Sequence, residues 1–329
     1  MRRHAEGARR MRALITGGAG FVGSHLCERL LDRGDEVVCV DNLITGKSEN
    51  LSHLRSHPRF TYIQADVTQP LAYDDPVDAV FHLASPASPR GYLHKPLETA
   101  LANSLGTQRM LELVQAQGAT FLLASTSEAY GDPLVHPQTE DYWGNVNPVG
   151  IRSCYDEGKR FAEALTMVFV RQFGVDARIV RIFNCYGPRS DPEDGRIVPN
   201  FVTQALMGKP LTVYGDGSQT RSLCYVSDLV SGLIRAMDVP NTAGRVYNLG
   251  NPDERTVLEF AQLIKQISGS SSVIRFVDPI STDDPQRRCP DIRRAQSELG
   301  WEPTISLDRG LDDTIAWFRT RLGLAAVGG

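Results

Sequence analysis

Thr16-Gly17-Gly18-Ala19-Gly20-Phe21-Val22-Gly23 joins a short apolar run, Arg12 to Thr16, to a segment of helical spacing, Phe21 to Arg33, closed by Gly34. Glycines stand at 17, 20 and 23, where the pattern of a strand gives way to that of a helix. Each missing side chain has a use: a tight turn, close approach of a pyrophosphate to backbone N–H groups, and close packing of helix on strand. A phosphate is favoured at the helix N-terminus by unpaired amides and the helix dipole. Alone, the pattern also fits a glycine turn in an unrelated α/β protein. The next apolar run, Val37 to Val40, ends in Asp41, 18 positions after Gly23, and completes a β-α-β unit. A carboxylate there accepts hydrogen bonds from a ribose diol and repels a 2′-phosphate, so NAD is expected in preference to NADP.

Further strands are predicted at Phe60 to Ala65, Ala79 to Ala84, Phe121 to Ser125 and Arg178 to Phe183, with helices around Leu97 to Gln117 and Tyr155 to Phe173. Alternation of this kind implies an α/β fold: a doubly wound parallel sheet, the Rossmann arrangement, with right-handed crossovers. After Asn184 the texture changes, and residues 187 to 222 are rich in Gly, Pro and Arg, as in loops that approach a ligand. Ser227 to Met237 then reads as a helix and Arg245 to Leu249 as a strand, followed by helices at Thr256 to Ile267 and Leu307 to Thr320 that flank an Arg- and Pro-rich loop at 283 to 294. The expected division interleaves two lobes. Residues 11–186 with about 223–250 form the NAD-binding domain, and about 187–222 with 251–323 form a smaller C-terminal substrate-binding lobe. Residues 1–10 (MRRHAEGARR) are expected to be a disordered extension or an upstream start, and 324–329 a tail.

Of the 329 residues, 41% are hydrophobic and 22% charged, with a net charge of -4. That balance disfavours a broad nucleic-acid surface, which needs clustered uncompensated Lys and Arg. There is no run of 18 apolar residues, and the basic N-terminus lacks the apolar stretch of a signal peptide, so no membrane partner and a cytoplasmic location are expected. The six cysteines (27, 39, 154, 185, 224 and 289) form no C-x-x-C pattern and read as reduced thiols, with no metal site.

Tyr155 and Lys159 lie four apart, on one face of a helix, with the ammonium beside the phenol. A nearby cation favours the phenolate, so Tyr155 is expected to act as a base below its ordinary pKa of roughly 10. Upstream, Ser125-Thr126-Ser127-Glu128 sets hydroxyls beside a carboxylate. Asp66-Val67 and Leu83-Ala84-Ser85 stand at the carboxyl ends of the third and fourth strands, where such sheets bind ligands, and Asn42, Thr45 and Gly46 follow Asp41 in the same cofactor-binding group.

With these residues in place, the chain resembles the extended short-chain dehydrogenase/reductase superfamily, from about Met11 to Gly323. Within its sugar-nucleotide branch, five motifs are most similar to the UDP-glucuronate decarboxylases, or UDP-xylose synthases. These are His82-Leu-Ala-Ser-Pro-Ala-Ser-Pro89, Ala124-Ser-Thr-Ser-Glu-Ala-Tyr-Gly-Asp-Pro133, Glu140-Asp-Tyr-Trp-Gly-Asn-Val-Asn-Pro148, Cys154-Tyr-Asp-Glu-Gly-Lys-Arg160 and Asp284-Pro-Gln-Arg-Arg-Cys-Pro-Asp291. The resemblance implies oxidation at C4 of UDP-glucuronic acid, loss of CO2 from the β-keto acid, and re-reduction at C4 with NAD regenerated. A ketone β to a carboxylate is an electron sink for the breaking C–C bond, so a base, oxyanion donors and fixed geometry suffice.

By resemblance, Tyr155 exchanges the C4 hydroxyl proton, Lys159 holds the nicotinamide ribose and depresses the tyrosine pKa, and Ser125 donates to the C4 oxygen. Ser127 and Glu128 serve ring positioning and proton relay, and Arg288, or the adjacent Arg287 in its place, holds the substrate carboxylate and then the enolate. Asn184, Tyr214 and Arg221 fall in the family's UDP-binding segments, with Arg221 as the diphosphate clamp, and Arg196 falls in a segment placed near the cofactor. The superfamily commonly forms homodimers through two helices, one bearing the tyrosine. Two departures stand out: Ile151 where the family has proline, and a missing lysine in Glu98 to Ala102. The rivals are a 4,6-dehydratase, which carries Thr-Asp-Glu where this chain has Ser127 in the middle, a 4-epimerase, and a non-catalytic NAD-binding protein.

Overall fold

The computed structural model describes residues 10–278 and 286–324. The first half runs β1 (Arg12–Thr16), α1 (Phe21–Arg33), β2 (Glu36–Val40), β3 (Phe60–Ile63), β4 (Ala79–His82), short helices α2 (Pro89–His94) and α3 (Pro96–Leu101), α4 (Thr107–Gln117), β5 (Thr120–Thr126), α5 (Ser153–Phe173) and β6 (Ala177–Ile182). It continues with β7 (Cys185–Tyr186), α6 (Ile197–Leu206), β8 (Leu211–Tyr214), β9 (Thr220–Ser222), β10 (Cys224–Tyr225), α7 (Val226–Asp238), β11 (Val246–Leu249), β12 (Glu254–Thr256), α8 (Val257–Ser268), β13 (Ile274–Val277) and α9 (Leu307–Arg321).

Seven strands form one parallel sheet in the order β3-β2-β1-β4-β5-β6-β11. The strand order reverses between β1 and β4, which opens a crevice at their carboxyl ends, where sheets of this kind take ligands. Because side chains alternate across a strand, Ala13 and Ile15 bury with α1 and α7, while Leu14 buries with α4 and α5 on the opposite face. The doubly wound α/β architecture expected from the alternating pattern is the one observed.

A third core lies beyond the sheet, built from α6, α8 and α9 around Phe201, Phe260, Leu311 and Phe318. Here the loop expectation for residues 187 to 222 is corrected. Val198, Phe201, Val202 and Ala205 are spaced to bury one stripe of α6, and the Gly- and Pro-rich flanks had hidden that period. A second correction concerns residues 292 to 301. Ile292, Ala295, Leu299 and Trp301 pack into the core beside α7, with Trp301 Nε1 donating to the Asp228 carbonyl at 3.0 Å, so this part of the chain returns to the sheet lobe. The helical segments expected around Leu97 to Gln117 are observed, α3 running on into α4 through one π-helical turn at Ala102–Gly106. At that turn Asn103 packs against Gly158, where an added Cβ would lie 3.2 Å from the Asn103 Cβ. The expectations for residues 1–9 and 325–329, and for Asp284 and Pro285 of the fifth motif, lie outside the described residues.

Candidate active site

The glycine turn is built as its spacing requires. Gly17 has φ 72°, a left-handed conformation, and its N–H donates to the Val40 carbonyl at 2.8 Å. A Cβ on Gly23 would lie 2.2 Å from the Gly17 carbonyl oxygen, so any side chain there would force the turn away from the helix. Helix α1 starts after Gly20 with no side-chain cap and no acidic residue in its first turn. The amides of Phe21 and Val22 therefore belong to an uncapped helix N-terminus, suited to a phosphate group. Leu83 and Ala84 close the other side: their N–H groups donate to Thr16, and a Cβ on Gly17 would lie 2.8 Å from the Ala84 nitrogen.

Asp41, buried at the end of β2, accepts from the Ala19 N–H at 3.0 Å and the Leu43 N–H at 2.8 Å. Burial raises its pKa, and the two amide hydrogen bonds oppose that rise. Gly46 crosses so close that an added Cβ would lie 2.7 Å from the Asp41 carboxylate. Asn42 Nδ2 donates to Asp66 at 3.0 Å, Thr45 faces the start of α2 near Gly91, Val67 is buried against Gly106, and Ser85 Oγ accepts from Asn103 Nδ2 at 3.0 Å. The expected cofactor residues thus line one sheet edge, and the bare glycine turn, uncapped helix and pinned acid fit a dinucleotide. His82 was not anticipated. Its ring is wholly enclosed between the hydroxyls of Thr16 (2.7 Å) and Thr107 (3.2 Å), with burial and the Lys159 charge pushing its pKa down to about 3, so it ties β4 to β1 as a neutral imidazole.

Tyr155 and Lys159 lie on α5, both buried, and the Tyr155 ring stacks on Tyr92 at 5.1 Å between centroids. The expected depression of the tyrosine pKa is not found. Burial drives it up to about 12, and what opposes that rise is a hydrogen bond with Thr126 and the charge of Arg196. Lys159 Nζ instead donates to the Ala124 carbonyl at 2.7 Å, and burial lowers its own pKa to about 8 against the pull of Glu163.

Ser125 is likewise engaged elsewhere. Its Oγ donates to Glu163 Oε1 at 2.5 Å, and Glu163 is gripped by Arg181 through Nε (2.9 Å) and Nη2 (2.7 Å). Alternation along β5 explains this: Phe121 and Leu123 face the α5 layer, so Ser125 does too, and the hydroxyl left beside Tyr155 is that of Thr126. Applied to Ser125 and Thr126, that alternation was the available clue to Thr126.

Behind them, Ser127 and Glu128 begin a short 3₁₀ turn, with Ser127 buried. Arg288 grips Glu128 with two hydrogen bonds, Nη1 to Oε1 at 2.6 Å and Nη2 to Oε2 at 2.8 Å, and Arg152 pairs with the same carboxylate. Burial works to raise the Glu128 pKa, but the charges of Arg288 and Arg152 prevail and hold it below the ordinary value. Asp156 shares the cluster 3.6 Å from Arg152, and burial with the Glu128 charge pushes it up to about 7. Arg152 and Asp156 were not anticipated; their i,i+4 spacing at the head of α5 was the available signal.

Arg221 is buried in β9, close enough for its charge to act on Glu128. The Arg288 segment runs alongside that strand, the Thr220 N–H donating to Gln286 at 3.0 Å, so Arg221 and Arg288 come to the same place. Arg196 donates to the Ala87 carbonyl and pairs with Asp194 at 3.5 Å. Asn184 and Tyr214 are half-buried, with the Asn184 carbonyl receiving the Cys224 N–H and the Tyr214 carbonyl receiving Gln219 Nε2, each at 2.9 Å.

The model of the NAD dependent epimerase/dehydratase family matches residues 13–250. The chain is 54% identical over 316 residues to UDP-glucuronic acid decarboxylase 1 of Arabidopsis thaliana, covering 96% of this chain and 72% of that one. It is 55% identical over 313 residues to UDP-glucuronic acid decarboxylase 1 of Danio rerio, covering 95% and 74%. Among solved structures it is similar to UDP-glucuronic acid 4-epimerase from Bacillus cereus in complex with UDP-glucuronic acid and NAD, at a TM-score of 0.85 and 30% identity over 94% of this chain and 100% of that one.

Proposed function

The chain belongs to the NAD-dependent epimerase/dehydratase family, and on that footing we propose that it converts UDP-glucuronic acid to UDP-xylose by C4 oxidation, loss of CO2 and re-reduction at C4. Bound NAD supplies reversible hydride exchange. The cradle at Gly17 to Gly23 with Asp41 holds it, and Lys159, released from the Ala124 carbonyl, reaches its ribose. Tyr155 takes the C4 hydroxyl proton and returns it, and the neighbouring Thr126 hydroxyl, which acts to lower the phenol's pKa, steadies the C4 oxygen. Arg221 supplies a planar fork for the diphosphate, with Asn184 and Tyr214 along the nucleotide half.

The observation that carries the reading is the Glu128–Arg288 pair. A dehydratase needs a protonated group to assist a departing hydroxyl. Here Glu128 is held ionised by two arginines and the neighbouring position is Ser127, so no acid is offered at that turn. Loss of CO2 needs no such acid. It needs the C4 ketone as electron sink and a cation to orient the carboxylate, and this reading gives the latter role to Arg288.

Two copies are proposed to associate through α3 and α5, where Leu97, Phe161 and Val168 stand exposed. A cytoplasmic location goes with this reading, supported by six unpaired cysteines; among the described residues no helix is long and apolar enough to cross a membrane. The test is incubation of NAD-loaded protein with UDP-glucuronic acid, following CO2, NADH and the sugar product. CO2 release with UDP-xylose and no net NADH is expected. Folded, NAD-loaded protein that releases no CO2, or yields the C4 epimer instead, would sink the decarboxylase reading.

A further inference from the structure

Outside the site just described, three metal-ligating side chains of different chemistry converge. His136, Glu254 and Cys289 each present a ligand atom, and these atoms all lie within 4.8 Å of one another. His136 Nε2 is 2.9 Å from Glu254 Oε2, and the Cys289 sulfur, buried, makes a weak contact of 3.5 Å to the Pro252 carbonyl. Imidazole, carboxylate and thiol together are the donor set of zinc-class cations, whose bonds of about 2.0–2.3 Å put tetrahedral ligands roughly 3.3–3.8 Å apart. We propose that His136, Glu254 and Cys289 bind one Zn²⁺-class cation, with a water or a small anion at the fourth position.

The surroundings support this assignment. Glu254 is held by the Thr220 hydroxyl through its other oxygen, the kind of outer partner that orients a carboxylate ligand. No pattern in the sequence announced the site, because His136 and Glu254 are separated by 118 positions and only the fold joins them. The ligands also adjoin the arginine cluster: Cys289 follows Arg288, and Glu254 pairs across β12 with Ser222, next to Arg221. A bound cation would staple together the segments that carry those two arginines.

The test uses the untagged, chelator-treated full chain and does not depend on the proposed reaction. Titration with CoCl2 is expected to give one equivalent of binding with a thiolate-to-cobalt charge-transfer band, displaced by ZnCl2. Cys289→Ser and His136→Gln, checked as folded by circular dichroism, are expected to lose the band and bind at least tenfold more weakly, while Cys154→Ser keeps both. If the site variants do not fold, the unaltered protein decides. Zn²⁺ should slow alkylation of Cys289 at least tenfold, read by peptide mass, and leave Cys154 unaffected. Absence of a thiolate band, its persistence in Cys289→Ser, or unprotected Cys289 overturns the proposal.

Discussion

Arg288 and Glu128, 160 positions apart, meet as a two-pronged buried ion pair, and Arg152 completes a clamp on the same carboxylate. Removing one member of such a cluster leaves an unpaired buried charge, which costs more than the pair itself contributes. It also follows that the Glu128 carboxylate positions Arg288.

Arg288→Lys keeps the charge and loses the fork. We expect kcat for CO2 release to fall about 100-fold while NAD binding stays unchanged. Glu128→Gln should give a similar loss, and the double variant should be no worse than the poorer single one, since the two act as a unit. Additive losses in a double-mutant cycle would show that the residues act separately.

Thr126→Val and Ser125→Ala separate two adjacent hydroxyls. Loss of the Thr126 hydroxyl is expected to lower kcat about 100-fold and to cost about 1 kcal/mol of stability, because it also caps the turn by accepting the Glu128 N–H. Loss of the Ser125 hydroxyl, which donates to Glu163, should cost about 1.5–3 kcal/mol of stability and less than about tenfold in kcat. Steady-state kinetics and denaturant unfolding of both variants check the assignment, and the reverse pattern would restore Ser125 to the catalytic role.

Lys159 gives a signed pH dependence. Its pKa falls from 10.5 to about 8 on folding, so between those values the unfolded chain holds more protons than the folded one, and stability rises with pH across that window. Relative to Lys159→Met, the unaltered protein should gain on the order of 3 kcal/mol between pH 8 and 10.5. Parallel unfolding curves at both ends of the window test this; a flat difference contradicts it.

Gly23→Ala would drive a methyl group to 2.2 Å from the Gly17 carbonyl oxygen. The backbone must move, with an expected stability loss of roughly 1–3 kcal/mol and a weakening of NAD binding by more than tenfold. Gly118→Ala serves as the contrast. Nothing lies within 4 Å of the added Cβ, so strain at φ 66° is the whole cost, and NAD affinity should be unchanged.

Most of the sheet was legible because its instructions are local. The alternating faces of β1, the helical period of α1 and the glycines between them are written in consecutive residues, and each element lies within a residue or two of where its period places it. The α6 helix was missed for the same reason: ten residues of helical period are a short message between glycine- and proline-rich flanks.

The chemistry was legible by residue type and less so by role. Tyr155, Lys159, Glu128 and Arg288 were all named from their motifs, yet Lys159 rests on the Ala124 carbonyl and Ser125 serves Glu163. The sequence alone determined the sheet architecture, the dinucleotide turn and the set of groups able to react, because periodicity and backbone sterics act between near neighbours. Only the tertiary structure decided which hydroxyl faces Tyr155, which cations grip Glu128 and that His136 meets Cys289. Those contacts join residues far apart in the chain, and burial sets their protonation, so neither spacing nor composition encodes them.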